Sequence, residues 1–361
     1  MLKPIHRVAC SPALAACQQL MRRFALWLCD QHVSGTSVTQ ANLQRNMGSA
    51  IEGDWLWQLL AGSTGTKALL DKAKRIADLP LAEKNGLQQW IHAVNSLVQH
   101  FGPTPPASLP VNPPNGWRAR DQRWTVFKDV MVAFYEEGLH GRGGLPYAAN
   151  GAPTGDVALR VSYDQFVREF RAAHRLDPHP NARDVCVLCG GPLVLPAVDH
   201  WLAKTAFPLL AVCADNLMPI CGECNVAPQK GQKDVHTGGA FSDWFHPYLR
   251  HANGAIRLRY DEATPSVRVE SATPADVVKV QNLNDLLNLS ERWTREFKAE
   301  YRRLQREAQR RQIGNVQALQ QRLMEYRQDL SAAEPHHEIH ALLAEALLDP
   351  ARLQAFAQIT P

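Results

Sequence analysis

The chain has 361 residues, and its 39 Lys and Arg against 35 Asp and Glu give a formal net charge of +4. That length can bury more than one core, so two to three domains are expected, and so mild a balance excludes a general polycationic coat, confining any nucleic-acid surface to a local patch. No uninterrupted apolar run reaches membrane-spanning length, and Arg22 and Arg23 interrupt the apolar stretch a signal peptide would need, so a cytoplasmic protein with no membrane partner is expected.

The first hundred residues read as helical. Ser11-Pro12 is a helix start, and Leu14, Cys17, Met21, Phe24 and Leu28 recur at three- and four-residue steps, one apolar stripe facing a core. Further short helices are predicted over Trp55 to Leu60, Ala68 to Ala77 and Leu87 to Val98. Gly62 to Lys67 lacks the Gly-Lys-Ser/Thr ending and the preceding strand of a phosphate loop, and reads as a helix connection. Residues 1–102 are thus expected as a helical N-terminal domain, followed by a Pro-rich linker over 103–116 whose stiff, extended character suits a spacer. Cys10, Cys17 and Cys29, with Cys213 further on, show no disulfide-like spacing and are expected as buried thiols of a reducing compartment.

Residues 117–182 are expected as a helical segment leading into the centre of the chain. Trp124, Phe127, Val130, Met131 and Phe134 lie at helical spacing, and the glycines from Gly138 to Gly144, with Arg142 among them, mark a turn. Ser162-Tyr163-Asp164-Gln165 has the form of a capping box, which predicts a helix from Tyr163 to about His174. Arg168, Arg171 and Arg175 on that helix, together with Lys204, Lys230 and Lys233, are candidates to line a phosphate channel, although scattered surface arginines have the same appearance.

The most informative stretch follows. Cys186 and Cys189, then Cys221 and Cys224, form two Cys-x-x-Cys pairs, each turn presenting two sulfurs to one ion as a tetrahedral structural Zn²⁺ requires. Such spacing also serves dithiol exchange, but two pairs flanking an Asp-His dipeptide favour zinc. Between the pairs lie Asp199, His200 and Asn216, and Asn225 follows the last cysteine directly.

The order Asp199-His200-Trp201-Leu202-Ala203-Lys204, Phe207-Pro208, Asn216-Leu217-Met218-Pro219 and Cys221 to Asn225 resembles the HNH endonuclease family, in the subgroup that reads D-H-aromatic-L-P-K and later N-L-x-P-x-C-x-x-C-N. The resemblance covers residues 183–250. It implies a ββα-metal core in which a hairpin carries the Asp-His and the Asn, and a following helix carries Asn225. It implies His200 as general base toward the attacking water, Asp199 and Asn225 as holders of a catalytic cation, and Asn216 as the brace of the hairpin loop. Imidazole suits the base because its ordinary pKa lies near neutrality, and oxygen ligands favour Mg²⁺ or Mn²⁺ over a second zinc. Asn225 stands where the family more often has His, Ala203 where it has Pro, and Pro228 where its helix commonly has Lys; Lys204, Lys230 and Lys233 remain candidate phosphate contacts.

Beyond the nuclease-like stretch, Phe245-His246-Pro247-Tyr248 resembles a segment that follows the core in this subgroup and is expected to fold back beside the site. Ala255 to Tyr260 and Ser266 to Glu270 read as a hairpin. Thr273-Pro274-Ala275-Asp276 opens a mostly helical run to Gln328, in which Arg295, Lys298, Arg302, Arg303, Arg306, Arg310 and Arg311 are interleaved with glutamates. That run fits a solvated, salt-bridged helix better than one tracking a duplex backbone. His336 to His340 lacks the His-Glu-x-x-His spacing of a metalloprotease, and a terminal helix pair closes the chain.

The expected fold is α+β and mostly helical: a ββα-metal HNH core with a structural four-cysteine zinc site, flanked by N- and C-terminal helical regions, the latter with the hairpin over 251–361. The expected function is metal-dependent DNA endonuclease, acting on double-stranded DNA. The resemblance extends to effectors of bacterial anti-phage and restriction systems, which implies an ATPase or sensor protein as partner. The alternative is a catalytically inactive, zinc-stabilised nucleic-acid-binding subunit.

Overall fold

The computed structural model describes every residue except 1, 2, 4, 66, 67, 95, 96, 103–107, 142, 180, 181, 314 and 359–361. Lys67, Arg142 and the start of the Pro-rich stretch therefore lie outside the described residues. Helix α1 (Ser11–Leu28) carries the expected stripe, with Leu14, Cys17, Met21, Phe24 and Leu28 all wholly buried. Helices α2 (Gln40–Asn46) and α3 (Ala50–Ala61) follow, each started by a side-chain cap, Thr39 and Ser49 accepting from the amides of Asn42 and Glu52. The two meet so closely that a Cβ on Gly53 would lie 2.4 Å from the Gln44 backbone, a contact only glycine permits.

Helices α4 (Leu69–Ala77), α5 (Leu81–Val94) and α6 (Gln122–Ala133) complete this layer, and α6 runs on into a single π-helical turn over Phe134–Leu139. Phe127 is wholly buried between Trp90 and Trp124, ring centroids 6.1 and 5.7 Å away. The described part of the Pro-rich stretch is strapped to the body rather than standing free of it. Leu109 N–H donates to Gly239 O (3.1 Å) and Trp90 Nε1–H to Asn112 O (3.1 Å).

Helix α7 (Tyr163–Ala173) begins where Ser162 Oγ accepts from Gln165 N–H. Strands β1 (Ala197–His200) and β2 (Leu217–Ile220) then pair antiparallel, with Asp199 opposite Met218 and His200 opposite Leu217. The one-turn helix α8 (Gly222–Asn225) follows β2 directly and packs on β1. A second hairpin joins β3 (Ile256–Asp261) to β4 (Ser266–Ser271). It supports α9 (Val277–Leu287) and α10 (Leu289–Arg310), which are separated by Asn288 in the left-handed conformation that asparagine tolerates. Helices α11 (Val316–Asp329), α12 (His337–Leu347) and α13 (Pro350–Gln358) close the chain, α12 packing on α10 and β3.

The architecture is α+β and mostly helical, with two two-stranded sheets. Buried apolar residues from all parts of the chain join one contiguous cluster running from Ile5 to Phe356. The N-terminal segment reaches directly into the central one: α1 packs on the 3₁₀ turns Pro208–Leu210 and Ala214–Asn216, and Arg7 grips Asp215 through two bonds of 2.7 and 2.9 Å. Among the described residues no helix is long and apolar enough to cross a membrane. Truncating Phe127 to Ala empties the Trp90–Trp124 layer and is expected to lower stability by about 3–5 kcal/mol, read from the midpoint of urea unfolding; a loss under about 1 kcal/mol would show that this layer is not close-packed.

Candidate functional site

Two turns distant in sequence meet at the four cysteines. Cys186 and Cys189 lie on one turn, Cys221 and Cys224 flank the start of α8, and all four sulfur atoms are within 4.8 Å of one another and buried. Among the described residues this is the one cluster of three or more such side chains that could hold a metal ion, and four thiolates suit zinc. Backbone amides already point at the sulfurs, Gly191 N–H to Cys189 Sγ (3.4 Å) and Cys221 N–H to Cys186 Sγ (3.5 Å). Crowding splits the thiols, sulfur–sulfur hydrogen bonds pushing Cys186 and Cys221 down from the ordinary range and Cys189 and Cys224 up. With a divalent ion between them all four could serve as thiolates, because metal binding releases the thiol protons.

From α10, the buried Arg292 adds a positive charge, its Nη1 donating to Cys224 Sγ (3.3 Å) and its Nη2 to Glu223 Oε2 (3.0 Å). The neighbouring Trp293 donates Nε1–H to Cys189 O (3.0 Å). Neither residue stands out as a site residue from the sequence, because no local pattern marks them. The remaining cysteines, Cys10, Cys17, Cys29 and Cys213, are buried free thiols, and burial pushes Cys29 and Cys213 up to about 12.

Beside the knot, β1 delivers Asp199 and His200 into the interior, 6% and 8% exposed. His200 Nε2 lies 2.9 Å from Ala211 O. A carbonyl only accepts, so Nε2 carries the hydrogen and Nδ1 keeps the lone pair. Tyr135, brought in by the π-helical turn, stands edge-on to the imidazole with ring centroids 4.5 Å apart. Burial, reinforced by the Lys204 charge, pushes His200 down to about 3, so the ring is neutral at physiological pH.

Asp199 shares its position with a wholly buried lysine. Lys230 Nζ donates to Asp199 Oδ1 (3.2 Å) and to His200 O (2.8 Å), and stands 2.9 Å from Asp199 Oδ2 without hydrogen-bond geometry toward it. Burial pushes the carboxyl up to about 6 against the opposing pull of Lys230. Asn216 is wholly enclosed and ties the loop between the strands together. Its Oδ1 accepts from Leu202 N–H (2.7 Å), and its Nδ2 donates to Leu202 O and Leu210 O (both 3.0 Å). Since Leu210 precedes Ala211, the same clamp sets the carbonyl that orients His200. Asn225 is half-buried at the end of α8.

The candidate phosphate contacts do not form one lane. Lys230 is interior, Lys233 Nζ reaches the C-terminal carbonyls Asp285 O and Leu286 O of α9, and Arg171 and Arg175 both pair with Asp184. Arg168 is exposed on α7, and Lys204 stays near the hairpin surface, its ammonium 4.7 Å from the Tyr135 ring centroid and 3.2 Å from Glu136 Oε1, at the edge of a cleft of about 380 Å³. The Phe245–Tyr248 segment does fold back here, Tyr248 OH donating to Leu217 O (2.7 Å) opposite His200. His336 and His340 face Glu296, and Glu338 pairs with Lys3, which makes that stretch a set of polar ties between α12, α10 and the N-terminal segment.

Comparison with family models, with curated proteins and with solved structures returns no match to this chain.

Metal analysis of the purified protein is expected to return a single zinc ion per chain, lost in Cys224→Ser together with much of the thermal stability. A zinc-free protein of unchanged melting temperature would show that the knot needs no metal. Asn216→Ala leaves the Leu202 amide and carbonyl unpaired in a buried loop and removes one of the two bonds to Leu210 O, which keeps Cys213 N–H, and is expected to lower stability by about 2–4 kcal/mol in chemical denaturation; a neutral effect would show that the loop is held by packing alone.

Proposed function

We propose that this protein is a metal-dependent endonuclease of the HNH type, hydrolysing phosphodiester bonds in DNA. The observation that carries the reading is the His200–Ala211 hydrogen bond. It fixes the imidazole with Nδ1 as the unprotonated nitrogen, turned from the carbonyl and free to take a proton from water. The surroundings support it: an Asp-His at the end of one strand, an Asn at the start of the partner strand, and a helix ending in Asn225, all clamped to the cysteine knot.

Asp199 and Asn225 offer hard oxygen atoms suited to Mg²⁺ or Mn²⁺; Asp199 Oδ2 makes no hydrogen bond, but Lys230 Nζ stands 2.9 Å from it and has to move aside for an ion to bind there. When bound, such an ion supplies electrostatic stabilisation of the charge that develops on phosphate oxygens. The chain's own groups do the rest. His200 receives the proton of the attacking water at Nδ1, Ala211 O holds the ring through that change, and Asn216 keeps Ala211 in place. Lys230 ties the Asp199 carboxylate to the His200 carbonyl, so both reacting side chains move as one unit.

A second reading, a non-catalytic nucleic-acid-binding subunit, is favoured by one specific observation. Asp199 and His200 are both enclosed, and a buried ammonium already neutralises the carboxylate. The two readings part on supercoiled plasmid with Mg²⁺ or Mn²⁺. Wild type is expected to nick or linearise it, and His200→Ala to slow cleavage roughly 10²- to 10⁴-fold with zinc content and melting temperature retained. Equal cleavage by the variant would remove His200 from the chemistry, and zinc-replete wild type inert with every divalent ion tried would turn the assignment to the binding subunit.

A further inference from the structure

The long helix α10 separates its charges by face. Trp293, Phe297, Leu304 and Ala308 are buried against the rest of the fold. The three acids beside that apolar face are all engaged: Glu296 by His340, Glu300 by Arg303 and Tyr326, and Glu307 by Arg303, Arg311 and Arg322. The opposite face carries Lys298, Arg302, Arg306 and Arg310, each four residues after the last and each exposed. None of these four has an acidic partner among the described residues. Arg306 Nε and Arg310 Nε instead donate back to the carbonyls of Arg302 and Arg306 (3.3 and 3.4 Å), laying the side chains along the helix.

A helix that is merely solvated alternates opposite charges at four-residue spacing, because like charges there repel and weaken it. Here three successive like-charged pairs follow one another while three of the helix's four acids are drawn to the flank; the fourth, Glu291, is exposed in the first turn and accepts from Asn288 Nδ2. A polyanion along this face turns that repulsion into attraction. The line is about 18 Å long along the axis and regularly stepped, winding by about 120° around the helix over its length, and so spread a row of cations suits a chain of spaced phosphates better than a single small anion. It also leads from the candidate site. One turn before Lys298, Arg295 pairs with Glu223 of α8 (3.1 Å), two residues ahead of Asn225, and Arg292 anchors the same helix end to the cysteine knot.

We propose that Lys298, Arg302, Arg306 and Arg310 form the surface on which duplex DNA lies, contacting its phosphates without reading its sequence. This deepens the nuclease reading by naming what holds the substrate, and rests on that reading for the identity of the polyanion as DNA. Guanidinium groups suit the task because they bond phosphate oxygens in a fixed, forked geometry. No base-specific contact is implied, since the stripe offers only cations on long side chains.

The test is binding of a fluorescent DNA duplex by the full-length protein, across a salt series and without added divalent cation, so that cleavage does not enter. The triple variant Arg302→Gln, Arg306→Gln, Arg310→Gln keeps side chains of comparable helix propensity. It is expected to bind roughly 10- to 100-fold more weakly at 0.15 M salt, with the slope of log affinity against log salt shallower by about 2 to 3. Arg311→Gln, on the acid-paired flank, is expected to bind as wild type does. Unchanged affinity and slope in the triple variant would overturn the proposal, and so would a loss in Arg311→Gln about one third as large on the logarithmic scale, the share of a single charge, which would point to net charge alone. Preference for single-stranded RNA over the duplex would overturn the assignment of the polyanion. Plasmid cleavage read in parallel separates the two ideas: stripe-dependent binding with no cleavage removes the nuclease reading and leaves the surface, whereas cleavage with stripe-independent binding does the reverse.

Discussion

The meeting of four sulfur atoms within 4.8 Å fixes more of this molecule than any other contact. One cysteine pair precedes β1 and the other follows β2 directly, so the cluster holds both ends of the hairpin. Two short strands with four paired positions cannot stand alone in water. Their register, and with it the placement of Asp199 and His200, depends on the knot. The same cluster receives Arg292 and Trp293, which seats the long α10 against the hairpin. A buried positive guanidinium also offsets the excess negative charge that four thiolates keep around a divalent ion, so the helix and the metal would stabilise each other.

The loop from Trp201 to Asn216 shows how the surroundings of His200 are built with little regular structure. Its backbone groups find partners in one another and in a single amide side chain, Asn216, which closes three bonds across the loop. That network delivers one carbonyl, Ala211 O, to His200 Nε2. A tautomer is thereby chosen by backbone geometry, without the aid of another ionisable side chain. Tyr135 limits the ring from a second direction, and it is there because α6 ends in a π-helical turn, a local widening often found where side chains must be re-aimed.

What the sequence reveals, and what it hides, follows from the range of the interactions. The stripe on α1, the Ser162 cap and the β3–β4 hairpin are local patterns of period or spacing, and each appears within a few residues of its expected place. The two Cys-x-x-Cys turns are legible for the same reason, since a metal needs two sulfurs per turn. Helix α2 escapes a sequence reading because only Leu43 in it is buried, leaving no apolar period to read. The helix expected from Leu87 to Val98 starts earlier, at Leu81, and its α-helical part ends at Val94. Lys230 is legible as a cation but not as the interior partner of Asp199. That role depends on Lys230 returning to β1 from the segment after α8, which is a tertiary event. The links from Arg7 to Asp215 and from Lys3 to Glu338 join residues farther apart still in sequence.

Charge is where composition misleads most. A surplus of four cations over the whole chain argues against a polyanion partner only if charges are spread evenly. Here they are sorted. Asp184, Glu300 and Glu307 each draw in one or more arginines to form compact ion-pair groups, which are neutral or nearly so at a distance. Each group that consumes an acid on one face leaves cations unopposed on another, and on α10 the remainder is a line rather than a scatter. Salt screens separated surface charges over about 10 Å at moderate ionic strength, so a partner responds to the local line and not to the net total. With the interior pair of Lys230 and Asp199 sealed from solvent, the field a phosphate approaching α10 meets is set by these unopposed cations and not by the net total.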